Sequence, residues 1–444
     1  MIVTNCPAPQ IGSERNKKAA ARLAELSSTN ATWQSKFAEG MGTWNVMFAL
    51  WGLFGPLDPE HAERSIYPNP SWDHIAEAFD VSLKGCTLLM EAQAMTDDSD
   101  IPFMAATFGN SNTFAFMLVV SHLEKWQPEK FGVSEAEIVA AMDLYDFHKH
   151  TSALKAVGTM DFGLCGCYTL LLGLHYGNLG ACKKYCDMTC GVMLELGIAK
   201  EHDFGEYGAS VVTCIVEHVS PLFIMLDMPE EAHRLYQSVG FAWDGAGTEA
   251  CWKTLEPNWG PPDRQMGTCT KEYWYTFIHL IIVLAWPDGA LEPEETLKWM
   301  PSPAELRELE KSWCAHSGWT LMSISNFGAR AYERLGRDEE AAETARFGVE
   351  MQKRKVCVAD CHCVLGRVSA RRGDLAAADE HFLTALELAR ESRCYAYEIV
   401  VAREWKRFVL TAADRAAEAD GVIDAACARM GKERTVFSSL LEAA

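Results

Sequence analysis

The chain has 444 residues, of which 49% are hydrophobic and 23% are charged, and its formal net charge is −21. This composition excludes a disordered chain, because disorder needs low hydrophobicity together with high net charge. The acidic balance argues against nucleic acid as a partner and against an anionic membrane surface, since both would repel the protein. We therefore expect a globular protein with a sizeable core.

Residues 1–40 are predicted to form an N-terminal extension without a secretory signal, because the first 18 residues lack an apolar core and contain Pro7 and Pro9. The apolar stretches 44–57 and 277–286 are too short to span a bilayer and predict buried helices. Without an export signal, the 16 cysteines predict reduced thiols and a cytoplasmic location.

Apolar residues recur at spacings of three and four along most of the chain, which predicts an all-α protein. Glycine and proline interrupt this pattern most strongly across 243–270, where we expect an irregular, tryptophan-rich insert. Long connections often mark junctions between structural units. The sequence therefore predicts a helical half over 41–242, the insert over 243–270 and a second helical half over 271–444.

The best polar cluster is formed by Asp143, Asp146, His148 and His150. Asp146 and His150 are four residues apart and share one face of a predicted helix, so they could form a binding or acid–base site. The alternative is a polar contact between helices. Both interpretations remain open on the sequence.

Cysteines recur every four residues at Cys182, Cys186 and Cys190, and a second group lies at 357–363. One helix face cannot surround a tetrahedral metal ion, and structural zinc normally uses paired Cys knuckles. We therefore interpret these thiols as small packing residues and predict no metal site and no cofactor.

Three tryptophans, Trp252, Trp259 and Trp274, lie in or beside the predicted insert. They could line a groove for a partner. They could equally seal the junction between the two helical halves, because large aromatic side chains are mostly buried.

An internal repeat is the strongest signal in the chain. Residues 359–392 match the unit of about 34 residues in which two antiparallel helices cross at small side chains. The preceding unit has its turn at Gly336, 37 residues before the turn at Gly373. The repeat-defining residues in this interpretation are Gly177, Gly336, Ala341, Gly366, Gly373, Ala378, Phe382 and Ala385.

On these residues the chain resembles tetratricopeptide repeats, and residues 140–190 resemble a narrower group. Leu144-Tyr145-Asp146, His150, Gly158 and Gly177 are similar to a pattern in the C-terminal, MalT-like repeat region of adenylate/guanylate cyclase and predicted-ATPase signalling proteins. Phe147, Phe162 and Leu179 depart from it where proline is usual. The resemblance implies an α-solenoid of helix hairpins that regulates or recruits, and it brings no catalytic residues.

The sequence thus predicts a non-enzymatic scaffold or regulatory module that binds a protein or peptide, in a cyclase/ATPase-type signalling system. No G-x-x-x-x-G-K-[ST] motif occurs, which excludes a P-loop. One alternative is a small-molecule-sensing repeat domain with its effector groove near the 243–270 insert. Another is a metal- or thiol-dependent enzyme on a helical scaffold.

Overall fold

The fold is all-α, as the periodicity of the sequence predicts. A computed structural model describes residues 169–195, 197–198, 212, 215–259, 271–287, 292–314, 323–352 and 354–442, together with short stretches at 32–36, 38–40, 88, 91–92, 95, 134–136 and 139. All regular elements within these ranges are helical, and none is a strand. None of the helices described is long and apolar enough to cross a membrane.

The first part of the described chain contains five α-helices and two short π-helical segments. The π-helical segments are Leu171–His175 and Ile215–Val219. The helices are α1 (Leu179–Glu195), α2 (Ser220–Met225), α3 (Pro229–Ser238), α4 (Ala246–Trp259) and α5 (Lys271–Ala285).

The second part continues with nine α-helices. They are α6 (Pro293–Leu297), α7 (Pro303–Cys314), α8 (Ile324–Arg334), α9 (Asp338–Met351), α10 (Lys355–Arg371), α11 (Leu375–Glu391), α12 (Tyr395–Trp405), α13 (Ala416–Met430) and α14 (Ser438–Glu442). A π-helical segment, Lys406–Leu410, follows α12, and a 3₁₀ segment, Arg434–Phe437, precedes α14.

Two helix starts show local control by the sequence. At α7, the Glu305 amide donates to Ser302 Oγ at 3.3 Å and the Ser302 amide donates to Glu305 Oε2 at 2.8 Å, which is a reciprocal capping box. At α11, the Ala377 amide donates to Asp374 Oδ1 at 3.0 Å. These side chains satisfy amides that have no partner within the helix.

The expectation of an irregular insert over 243–270 is wrong for residues 246–259, which form α4. Gly245 adopts a left-handed φ of 72° just before the helix, and the Ala246 amide donates to Asp244 Oδ1 at 3.1 Å. Cys251 and Trp252 on α4 are buried. Burial and capping therefore outweigh the helix-breaking tendency of the local glycines, since propensity is only a weak determinant. Residues 260–270 lie outside the described part of the chain.

Consecutive helices pack against each other from α8 to α13, and alternate helices α8, α10 and α12 also touch. The first part continues this arrangement, because α5 packs on α8, α3 on α5 and α1 on α3. The segment 171–175 packs on α12, so the chain of helix contacts that runs through α1, α3, α5, α8, α10 and α12 returns to its starting segment and forms a closed ring of contacts, here called the circuit. At this closure, His175 Nδ1 donates to the Arg393 carbonyl at 2.7 Å.

Candidate functional site

A cavity of about 630 Å³ lies where five segments of this circuit meet. Its wall is formed by α8, α10 and α12 with the residues after it, by the turn after α2, and by the end of α5. We call it the arginine cavity. Its charged lining residues are Asp227, Arg330, Glu333, Arg334, Asp360, Arg367, Arg403, Glu404 and Arg407.

Several lining residues are spaced 37 residues apart along the chain. Asp360 on α10 and Tyr397 on α12 are 37 residues apart and touch in the cavity wall. The same spacing relates Arg330, Arg367 and Glu404, which lie on α8, α10 and α12. Residues spaced 37 apart on α8, α10 and α12 therefore converge on one space.

Arg367 and Glu333 form the central ion pair of the wall. Arg367 Nη2 and Nε lie 2.6 and 2.8 Å from the two oxygens of Glu333, a bidentate geometry that favours arginine over lysine. Arg371 Nη1 also donates to Glu333 at 2.9 Å, and Glu404 lies 3.8 Å from Arg367. The central guanidinium is thus held between two carboxylates.

These charges persist despite burial. Burial opposes ionisation of Arg367, but Glu333 and Glu404 outweigh it and raise the pKa of the guanidinium well above its ordinary value. Burial likewise raises the pKa of Glu333, but Arg367 and Arg371 outweigh it and lower that pKa. Both groups are therefore ionised at neutral pH.

Asp360 is the most deeply buried acid of the wall, with 1% of its surface exposed. Its carboxylate accepts from Tyr397 Oη at 2.7 Å and from Asn326 Nδ2 at 3.0 Å, and Arg330 Nη1 lies 3.5 Å away. Three donors, two from α8 and one from α12, therefore stabilise one charge on α10. This network fixes the relative positions of α8, α10 and α12 at the cavity.

Arg403 connects α12 to two other segments that are distant in the sequence. Its Nη2 lies 2.8 Å from Asp227 Oδ2, in the turn after α2, and 2.7 Å from Glu404 Oε1. Its Nη1 donates to the Leu440 carbonyl at 2.6 Å. A single guanidinium thus connects α12, α14 and the α2–α3 turn.

Two other arginines contribute positive charge differently. Arg334 donates to the backbone carbonyls of Leu284 and Trp286, which are neutral groups. Arg407 is exposed, lies 5.3 Å from the Phe408 ring, and pairs with no carboxylate among the described residues. The cavity therefore presents guanidinium charge to an incoming ligand at Arg407.

The potential nucleophiles in the wall are protonated at neutral pH. Burial raises the pKa of the Cys363 thiol to about 12. Burial, together with the charge of Asp360, raises the pKa of Tyr397 well above its ordinary value. Since thiolates and phenolates are the reactive forms, this wall suits binding better than nucleophilic chemistry.

The predicted polar cluster Asp143, Asp146, His148 and His150 lies outside the described residues, so the structure says nothing of its geometry. The arginine cavity uses other residues entirely. Among the described residues, no group of three or more His, Cys, Asp or Glu side chains is placed to hold a metal ion.

Two of the tryptophans near the insert, Trp252 and Trp274, are buried and do not lie on a groove. Trp252 and Trp274 are 5% and 0% exposed, and their ring centroids lie 5.8 Å apart. Trp274 also meets Phe241 edge-on at 5.9 Å. Interpreting these two residues as a binding surface is therefore wrong, because their rings bury each other. The side chain of Trp259 lies outside the described part of the chain.

The repeat-defining residues lie at turns and helix crossings. Gly177, Gly336 and Gly373 adopt left-handed φ angles of 62°, 72° and 81°. The side chains at Ala341, Ala378, Phe382 and Ala385 are fully buried. A Cβ on Gly366 would lie 2.9 Å from the Phe382 ring, so the missing side chain permits this close crossing of α10 and α11.

The cysteines on α1 and α10 are buried. Cys182 and Cys186 are 0% exposed and Cys190 is 7% exposed. Cys357, Cys361 and Cys363 are also buried, and burial is the main cause that raises the pKa of each. These thiols lie within the helix packing.

Comparison with known proteins gives no relative. No protein-family model, no curated protein and no solved structure matches this chain. The resemblance to tetratricopeptide and cyclase-associated repeats therefore stays a prediction.

Sequence reasoning missed the arginine cavity, although a signal for it exists. Polar residues recur at one register of the repeat, as Arg330 and Arg367 show, on the face of the first helix of each unit. Small and aromatic side chains mark the packing positions, whereas these polar residues form a second recurring set. The recurrence of arginine at the 37-residue spacing predicts part of the wall.

Proposed function

We propose that this chain is a non-catalytic helical-repeat module that binds an acidic segment of a partner protein in the arginine cavity. The observation that carries the proposal is the convergence of polar residues from α8, α10 and α12 on one space at the same repeat register. Repeat proteins commonly use such a surface, built from equivalent positions of successive units, for recognition.

The local architecture supports a solenoid of hairpins. Gly336 and Gly373 make left-handed turns of nearly the same conformation between the helices of successive pairs. Each helix from α8 to α13 packs on the next, and the alternate helices α8, α10 and α12 form a layer of their own. This is the packing that tetratricopeptide hairpins require, because one hairpin alone cannot bury its apolar face.

The charge of the wall favours an anionic ligand. Five arginines and four carboxylates line the cavity of a protein whose net charge is −21. The carboxylates are engaged by the guanidiniums described above, whereas Arg407 lacks such a partner among the described residues. An acidic side chain would gain a charge-assisted hydrogen bond there, a stronger contact than one between neutral groups.

The wall also supports binding over catalysis. Cys363 and Tyr397 are held protonated, and the four carboxylates contact guanidinium groups. We accordingly assign the chain a recognition role. Its place in a cyclase/ATPase-type signalling system is a proposal that rests on the sequence resemblance alone.

A small-molecule sensor is the second candidate, and the size of the cavity favours it. A volume of about 630 Å³ lies within the range of about 300–1,000 Å³ that small-ligand sites occupy. The ligand would carry a carboxylate or another anionic group for the reason given above. This cavity, rather than a groove at the 243–270 insert, is then the effector site.

Fluorescence anisotropy with two labelled peptides of equal length tests the proposal, one rich in glutamate and one rich in lysine. We expect the glutamate peptide to bind and the lysine peptide not to bind. Arg407→Ala should lower the affinity for the acidic peptide by roughly tenfold or more, because a hydrogen bond to a charged group contributes about 1.5–3 kcal/mol.

Arg337→Ala is the matched control, because Arg337 is also an exposed arginine but does not line the arginine cavity. It should leave the affinity for the acidic peptide unchanged. Equal binding of both peptides, or equal losses in the two variants, would contradict the proposal. A thermal-shift series with small dicarboxylates separates the second candidate: stabilisation by these molecules without peptide binding favours the sensor.

A further inference from the structure

A second cavity, of about 380 Å³, lies between α9, α10 and α11. It uses the other face of α10: His362, Leu365 and Ser369 point here, whereas Asp360, Cys363 and Arg367 point to the arginine cavity. At 3.6 residues per turn the two sets lie on opposite sides of the helix. We call this space the histidine pocket.

Five nitrogen- or hydroxyl-bearing side chains line the histidine pocket. They are Arg346, His362, Ser369, Arg372 and His381. The apolar part of the wall comes from Ala342, Val349, Leu365 and Val368. A polar end rich in donors thus adjoins an apolar surface.

The two imidazoles form a pair. His362 Nδ1 and His381 Nδ1 are 3.1 Å apart, and their ring centroids are 5.3 Å apart. At that distance the Nδ1 of one ring is protonated and donates a hydrogen bond to the unprotonated Nδ1 of the other ring. Burial first, and the neighbouring His381 second, lower the pKa of His362 to about 4, while burial also lowers that of His381. The empty pocket therefore holds both rings neutral at pH 7.

The charges around this pair favour an anion. Arg346 pairs with no carboxylate among the described residues, while Arg372 pairs with Glu339 at 3.0 Å, outside the pocket lining. Glu350 lines the pocket, but its carboxylate lies 2.9 Å from Arg307. The charged groups around the two imidazoles are Arg346, Glu350, Arg372, Asp374 and Glu380.

The same geometry disfavours a metal ion. Two imidazole nitrogens 3.1 Å apart could share an ion. A cation there would meet the guanidiniums of Arg346 and Arg372, and the described residues offer no group of three metal-ligating side chains. Guanidinium and imidazolium donors instead match the oxygens of a tetrahedral oxyanion.

We propose that the histidine pocket binds a tetrahedral oxyanion, either free phosphate or the phosphate of a small monoester whose organic group lies on the apolar wall, and that binding tightens on acidification. The anion favours the charged form of the imidazole pair, so binding draws a proton from solvent onto it. Arg346 and Arg372 supply the fixed positive charge. Val349, Leu365 and Val368 supply the surface for the organic group.

Isothermal titration of the full chain with sulfate tests the site first, because sulfate does not titrate between pH 5 and 7. The dissociation constant should fall by about tenfold or more from pH 7 to pH 5, since uptake of one proton gives up to about tenfold per pH unit. Chloride at equal ionic strength should produce no heat of binding. Circular dichroism at each pH confirms that the chain remains folded.

Variants locate the site. Arg346→Ala should lower the affinity for sulfate by about tenfold or more, because a charge-assisted hydrogen bond is lost. The double variant His362→Gln/His381→Gln should leave sulfate binding at pH 7 within about twofold and abolish its pH dependence, since glutamine does not titrate there. Arg337→Ala is the matched control, because this exposed arginine lines neither cavity, and it should change neither the affinity for sulfate nor its pH dependence.

Inorganic phosphate and phenyl phosphate at pH 7 distinguish the two sources of the oxyanion. Tighter binding of phenyl phosphate assigns a monoester, and equal binding assigns free phosphate. Absence of sulfate binding at pH 5, or equal losses in Arg346→Ala and Arg337→Ala, would overturn the site. Binding of Zn²⁺ that Arg346→Ala strengthens, with no response to sulfate, would replace it by a metal site. Failure here leaves the peptide proposal intact, because the two cavities share no residue.

Discussion

The crossing of α10 and α11 provides the sharpest test of the packing. A Cβ added to Gly366 would lie 2.9, 3.0 and 3.2 Å from three atoms of the Phe382 ring. That ring is 0% exposed, so it cannot move away without disturbing the core. Alanine gains about 1 kcal/mol in helix propensity over glycine, but overpacking a core costs about 1–3 kcal/mol. Because three atoms of a fixed ring are too close, the upper part of that cost, about 2–3 kcal/mol, applies. We therefore expect Gly366→Ala to lower the free energy of unfolding by about 1–2 kcal/mol.

Gly421→Ala is the matched control, because Gly421 is also a helical glycine, on α13, and a Cβ there would have nothing within 4 Å. It should raise the free energy of unfolding by about 0.5–1 kcal/mol, the usual gain from replacing an exposed helical glycine. Urea denaturation followed by circular dichroism measures both. The reasoning is refuted if Gly366→Ala is as stable as the wild type, or if both variants shift in the same direction.

Three further predictions concern turn geometry, buried charge and acidity. Gly373→Ala should cost about 1–2 kcal/mol in urea denaturation, because its φ of 81° is strained for a residue with a Cβ although no atom lies within 4 Å. Arg367→Met should cost about 3–5 kcal/mol by leaving Glu333 buried without its main partner, and adding Glu333→Leu should recover part of the loss; no recovery would contradict the pairing. Burial, partly offset by the bond to the Arg393 carbonyl, lowers the pKa of His175 from 6.5 to about 4. The unfolded chain therefore takes up this proton first, and stability falls as the pH falls from about 6.5 towards 4, by about 2 kcal/mol between pH 7 and 5. His175→Gln should remove this contribution to the dependence of the free energy of unfolding on pH. An unchanged pH dependence would contradict the prediction.

The 37-residue sequence pattern shows which structural features can be predicted from local sequence. Residue type and spacing place Gly366 on the first helix of a unit and Phe382 on the second, and in the structure a Cβ on Gly366 would lie 2.9 Å from the Phe382 ring. The spacing of apolar residues also fixed the all-α class. These features depend on side-chain size and on backbone conformation near each residue, which the sequence states directly.

The insert and the tryptophans show where local pattern misleads. Gly245 and Gly247 indicate a break, yet residues 246–259 are helical because Cys251 and Trp252 are buried. Trp274 was a candidate for a groove, but its ring packs on Trp252. In both cases the outcome depends on which distant surfaces meet, and that information lies in the packing.

The candidate sites likewise combine features that local sequence predicts with features that only packing decides. The sequence determined that Arg330 and Arg367 recur at one repeat register, and that His362 lies on a helix. Only the tertiary structure decided that the repeat units converge on a common cavity, and that His381 from the next helix comes within 3.1 Å of His362. The physical reason is that helix periodicity is a local property of the chain. Charge pairing and cavity formation, by contrast, depend on the distances between helices that are brought together only by burial of their apolar faces.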